Sequence, residues 1–165
     1  MPTFDITSEV DWPEVKNAID QADRELRNRF DFKGVESDIQ VDQKGSTLTI
    51  KCSEEGKIDA LKDILISKLV KRGVPLLAFH FEDPVPSSGR SARQAVQVRS
   101  GLTKDEAKKV QDLFKGENFK LKAKLQDQII RVSGTKRDEL QRAINVLKQK
   151  QEEMKVAMQF GNFRD

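Results

Sequence analysis

The sequence predicts an α+β protein built from two tandem ferredoxin-like domains, each a βαββαβ unit with an antiparallel sheet. Three observations predict it. The chain repeats itself: residues 46–61, STLTIKCSEEGKIDAL, and 126–140, QDQIIRVSGTKRDEL, each read as an alternating strand, a polar turn and a charged amphipathic helix. Ile50 aligns with Ile130 and Asp59-Ala60-Leu61 with Asp138-Glu139-Leu140, a spacing of 80 and then 79 positions. That period is too long for a solenoid repeat and suits a duplicated small domain. The order of period-two and period-3.6 patterning is the same in both halves. Finally, residues 83–90, DPVPSSGR, are the one linker-like stretch. The expected organisation is a domain over 1–82, a linker over 83–90 and a second domain over 91–165.

In the first half, residues 3–6 alternate as a strand. Asp11 with Glu14 forms a capping box, Pro13 suits the first turn, and Val10 with Val15 makes a hydrophobic staple. The helix they open runs to about residue 30, with Val15, Ile19, Ala22 and Leu26 on one face. Strands at 35–42 and 47–52 flank a polar turn as a hairpin. A second helix, about 54–72, aligns Ile58, Leu61, Leu65 and Leu69 and ends at Gly73, before a strand at 76–81. The second half repeats the order. A strand at 91–99 precedes a capping box at Thr103 and Glu106, whose helix turns Ala107, Val110 and Leu113 inward. A hairpin at 119–126 and 128–133 leads to a helix from 135 to about 153, then to a strand at 156–160 and a tail. The first strand of each half is free to exchange between copies, and alternation leaves open which sheet receives 3–6.

Net charge +3 conceals an asymmetry. Residues 1–90 hold 13 Lys+Arg against 17 Asp+Glu, and residues 91–165 hold 17 against 10. The basic half suggests a polyanionic partner. Strand parity sends Lys120, Lys122 and Lys124 to one face, with Arg131, Arg93 and Arg99 joining them from neighbouring strands. These six are the candidate phosphate-binding residues. A solvated edge explains any single lysine, but six cations on one helix-free sheet face repel one another without an anion. The corresponding face of the first half, with Glu36, Asp38, Gln40 and Asp42, is expected to be acidic to neutral. No aromatic falls on the basic face, so base stacking of the RNA-recognition type is not expected there. Secondary candidates come from two aromatic motifs, Phe32 and Lys33 in the first, Asn162, Phe163 and Arg164 in the tail. Core filling is their bland reading; phosphate or guanine contact by the terminal arginine is the sharper one.

Catalytic machinery is not visible. His80 has surface parity, and Cys52 is in phase with Leu48 and Ile50 as a small core residue. No Cys/His cluster suits a metal, and no phosphate-loop or dinucleotide fingerprint occurs, so neither metal nor cofactor is expected. There is no apolar run near the ~20 residues of a membrane span, and MPTFDITSEV has no signal-peptide character. With one cysteine, a cytoplasmic protein is expected.

Pro2-Thr3-Phe4-Asp5-Ile6-Thr7-Ser8-Glu9, Phe30-Asp31-Phe32-Lys33-Gly34-Val35-Glu36, Lys71-Arg72-Gly73 and Gln159-Phe160-Gly161-Asn162-Phe163-Arg164-Asp165 resemble the YajQ family of small bacterial proteins. The tail departs from the family's pattern at Gly161. The resemblance implies two ferredoxin-like domains with exchanged N-terminal strands, and nucleotide or nucleic-acid binding. For some members it implies binding of cyclic di-GMP with a regulatory role. It assigns no ligand residues. The expectation is a non-enzymatic protein holding a nucleotide, a cyclic dinucleotide or RNA. The alternative is a protein–protein interaction module with no nucleotide ligand.

Overall fold

The computed structural model describes residues 1–165. Along the chain the elements are β1 (Thr3–Thr7), α1 (Trp12–Asn28), β2 (Ser37–Asp42), β3 (Thr47–Cys52), α2 (Ile58–Lys71), β4 (Phe79–Phe81) and β5 (Val85–Pro86). They continue as β6 (Ala92–Val98), α3 (Lys104–Gly116), β7 (Lys122–Gln126), β8 (Ile129–Ser133), α4 (Arg137–Met154) and β9 (Gln159–Arg164). The chain divides into a contiguous unit, Val10–Arg99, and a split unit that joins Met1–Glu9 to Ser100–Asp165.

In the contiguous unit, Asp11 caps α1 by accepting the Glu14 N–H, and Val15, Ala18, Ile19, Ala22 and Leu26 form its buried stripe. α2 ends at Gly73, whose φ of +75° continues no helix. Both helices pack on one side of an antiparallel sheet ordered β2-β3-β6-β4. Leu48 pairs across to Val96 and Ile50 to Gln94, which puts the inward residues of β6 into this core.

The split unit has its sheet in the order β7-β8-β1-β9. Thr103 and Glu106 make the capping box of α3 in both directions. Asp127 and Gln128, both at positive φ, close the β7–β8 hairpin, the signature of a two-residue type I′ turn. Phe4 and Ile6 of β1 are fully buried with Val110, Ile130, Val132 and Leu147.

Both units therefore are ferredoxin-like, and their first strands are exchanged. β1 occupies the inner position between β8 and β9, and β6 the equivalent position between β3 and β4. This corrects the expected boundaries at 82 and 91, since residues 1–9 and 91–99 each lie in the sheet of the other half. Residues 83–90 are not a spacer either. Val85 and Pro86 pair back onto Arg93 and Ala92, and Ser87 N–H donates to the Ser91 carbonyl, so this stretch is the turn of a short hairpin. Proline, serine and glycine mark a tight turn as readily as a linker. Elsewhere the last strand starts later than expected and takes in the tail, Gln159–Arg164.

Exchange also redistributes charge. The contiguous unit holds 15 Lys+Arg against 15 Asp+Glu, and the split unit 15 against 12. The acidic and basic halves read along the sequence become a neutral unit and a unit of net +3.

Candidate functional site

Side chains alternate across each strand, so burial of Ile130, Val132, Phe4 and Ile6 on the helix side sends Arg131 and Asp5 to the helix-free face of the split unit's sheet. Register aligns them in a row: Lys124 lies opposite Arg131, Arg131 opposite Asp5, and Asp5 opposite Gly161. A second row runs Lys122, Ser133, Thr3 and Arg164. Lys122, Lys124, Arg131 and Arg164 are all exposed.

Asp5 is the only acidic member of these rows and is nearly buried. Arg131 donates to both its oxygens, Nε to Oδ1 at 3.0 Å and Nη2 to Oδ2 at 3.3 Å. Asn162 Nδ2 donates to Oδ2 at 2.8 Å. Asn162 reaches it from a left-handed backbone, φ 52°, at an irregularity in the β1–β9 register. The Arg131 bond holds the Asp5 carboxyl below the ordinary carboxylate range against the opposing effect of burial, with Asn162 and the charge of Arg164 adding to it. Asp5 thereby fixes the Arg131 guanidinium on the sheet while Lys122 and Lys124 make no ion pair.

The pH dependence follows from that depression. A carboxylate whose folded value lies below its unfolded one adds stability above the unfolded value, about pH 4, and loses it as pH falls through the folded one. Asp5→Asn is expected to reduce stability at pH 7 by roughly 1–2 kcal/mol, a modest figure because the partner arginine stays hydrated. The same variant should lose less than the parent on going to pH 3. Urea unfolding at the two pH values is the measurement, and identical curves for both proteins would refute the assigned role.

Of the six cations expected on one face, the structure brings together Lys122, Lys124 and Arg131. Lys120 precedes β7; its backbone N–H donates to Glu139 Oε1 at 2.7 Å and its side chain is exposed. Arg93 lies on β6, in the sheet of the contiguous unit, and Arg99 follows that strand. There Arg93 lies across from Lys51, which faces Asp38, while Gln97 lies between Thr47 and His80. The open face of the contiguous unit is thus mixed in charge rather than acidic. Among the secondary candidates, Phe32 is buried, with Arg29 and Lys57 over its ring at 5.9 and 5.8 Å. Lys33 is exposed, Phe163 is 64% exposed, and Arg164 Nε donates to Asn162 Oδ1. Sequence reasoning missed Asp5; the one signal was an aspartate at the centre of an apolar strand.

Fold and face together define a duplicated ferredoxin-like α+β protein with exchanged first strands and a cationic open sheet. Residues 2–164 match the family described as nucleotide-binding protein YajQ-like, and the chain belongs to that family. It is 42% identical to a nucleotide-binding protein of Marinomonas sp. over the full length of both chains. Identity to a nucleotide-binding protein of Exiguobacterium sp. is 41%, covering 98% of this chain and 97% of that one. A third relative with the same description, from Anaeromyxobacter sp., is 39% identical over both complete chains. These relatives are named for nucleotide binding rather than for an enzymatic activity. No helix is long and apolar enough to cross a membrane.

Proposed function

We propose that this protein is a non-enzymatic, regulatory nucleotide-binding protein. It holds the phosphates of a nucleotide, a cyclic dinucleotide such as cyclic di-GMP, or RNA on the helix-free face of the split unit's sheet. The observation that supports this most is the row in which Lys124 stands beside an arginine already fixed by Asp5, with Lys122 on the same face. Lysine ammonium groups act as adaptable point charges, while a guanidinium gives planar, directional contacts. Two of the Arg131 nitrogens are committed to Asp5, and Nη1 makes no bond to it. The strand positions of this face, Thr3, Asp5, Thr7, Lys122, Lys124, Gln126, Ile129, Arg131, Ser133, Gln159, Gly161 and Arg164, include no aromatic. Phosphate recognition therefore dominates over base reading.

Calorimetric titration with GTP, cyclic di-GMP and a short RNA, each at low and moderate salt, tests the reading. Binding of at least one is expected to weaken steeply as salt rises, because each neutralised phosphate releases counterions. Binding of none, or binding indifferent to salt, is the result that excludes this face as the anion site.

A further inference from the structure

Away from the lysine face, the exposed apolar side chains of the contiguous unit are unevenly placed. Val70 is 56% exposed, and Leu76 and Leu77 are 36% and 37% exposed, so three of them gather at one end of α2. Ile66, one turn before Val70 on the same side of the helix, is half-buried. Local chemistry shapes the chain to present this group. Gly73, at φ +75°, closes α2 with a paired cap: its N–H donates to the Val70 carbonyl and the Val74 N–H to the Leu69 carbonyl. Leu69 and Val74 are buried in the core below. Pro75 then opens a 3-10 turn, Leu76–Ala78, which packs on α2, buries Ala78 and leaves both leucines in water. The Ala78 N–H donates to the Pro75 carbonyl and the Phe79 N–H to that of Leu76. Proline brings no N–H, so the backbone of this tip is largely hydrogen-bonded within itself.

The segment carries charge of one sign. Residues 64–81 hold Lys68, Lys71 and Arg72 and no aspartate or glutamate. Lys68 is tied to Glu25 at 2.9 Å, Arg72 reaches Glu14 only at 3.7 Å, and Lys71 is exposed. Two cations therefore stand beside an aliphatic tip, and residue type decides what covers it. Hot spots of protein interfaces are rich in tryptophan, tyrosine and arginine and poor in leucine and valine, whereas the large apolar side chains exposed here are all aliphatic. Leucine and valine transfer favourably into a bilayer. Anionic headgroups take up the lysine and arginine heads, whose aliphatic stems lie along the apolar boundary. A backbone already bonded within itself removes the main cost of approaching hydrocarbon.

We propose that the end of α2 and the turn after it form a peripheral membrane-contact surface: Val70, Leu76 and Leu77 enter the headgroup boundary of an anionic bilayer, and Lys71 with Arg72 holds its lipid phosphates. The contact is reversible, because three aliphatic side chains and two cations fall far short of a membrane-spanning anchor. It belongs to the contiguous unit and does not rest on the nucleotide binding proposed above.

Vesicle flotation of the full chain tests this, with phosphatidylcholine alone and with phosphatidylcholine containing phosphatidylglycerol. Binding is expected to the anionic vesicles only. Each cation near such a surface strengthens binding about fivefold, so Lys71→Glu should weaken it about tenfold or more. That side chain is exposed, and its reversal does not threaten the fold. Leu76→Ser combined with Leu77→Ser should abolish flotation, whereas Lys122→Glu combined with Lys124→Glu should retain most of it. Depth is read with Leu77→Trp in a Trp12→Phe background, where emission comes only from position 77 because the chain has one tryptophan. Anionic vesicles should shift that emission to the blue, and brominated acyl chains should quench it. The signal is local, so it separates the tip from any attraction of vesicles to the lysine face. No flotation with anionic vesicles, equal flotation of Leu76→Ser/Leu77→Ser, or emission at position 77 indifferent to vesicles overturns the proposal. So does an acidic helical peptide that shifts this emission where vesicles do not, since the occupant is then a protein.

Discussion

Phe4→Ala is expected to unfold the unit that holds residues 100–165 rather than the one that follows Phe4 in the chain. Phe4 is fully buried in the split unit, with Phe160 6.2 Å and Phe163 6.3 Å away between ring centroids. It sits on an inner strand, so the cavity left by truncation cannot be filled from solvent. Phenylalanine-to-alanine changes in such cores cost roughly 3–5 kcal/mol, a large share of the stability of a domain this small. Hydrogen exchange is the informative readout. Amides of β7, β8 and β9 should lose protection, while those of β2 and β3 should keep most of theirs, because subglobal units open with their own free energies. The reverse pattern, loss confined to β2 and β3, would place β1 in the wrong sheet and remove the exchange.

The second large effect is on ligand affinity. Reversing Lys122 and Lys124 together to glutamate replaces two cations by two anions beside Arg131, on side chains that are exposed and make no ion pair. Such a change leaves the core untouched, since the inward residues of β7 are Ala123 and Leu125. Hydrogen bonds between charged groups contribute about 1.5–3 kcal/mol each, so losing two phosphate contacts should weaken the tightest of the three tested ligands by about a hundredfold or more. The dependence of affinity on salt should become shallower in parallel. Lys51→Glu on the other sheet serves as the control of equal charge type. If the double variant bound as tightly as the parent, with the same salt slope, the phosphates would have to be held elsewhere.

Much of the architecture was readable before any coordinates. The stripes on α1 and α2, the capping box at Thr103, the hairpin about Asp127 and the glycine stop at Gly73 all follow from local chemistry, and all are present. What local chemistry does not encode is partner choice between two similar sheets. The alternations at Thr3–Thr7 and Ala92–Val98 fit either sheet, because each asks only for one apolar face. Adjacency in the chain therefore assigned Arg93 to the wrong sheet, and dividing charge at residue 90 overstated the contrast between halves. Outward parity of Lys122, Lys124 and Arg131 was legible because it depends on one hairpin alone. The role of Asp5 was not, because its arginine partner is 126 residues away. Phe30 lies exposed, although core filling is the usual reading of a phenylalanine.

The swapped strands also constrain how the molecule is made. As the chain leaves the ribosome, β1 emerges long before β8 and β9, the strands that flank it. The contiguous unit, by contrast, has every strand of its sheet once residue 99 is out. Domains mature in order of emergence, so β1 waits unpaired while the contiguous unit folds, and the split unit's sheet closes only once β9 is out. Long-range pairing of this kind slows the final step. A polypeptide that stops before β8 can contain a folded contiguous unit and still lack Arg131 altogether.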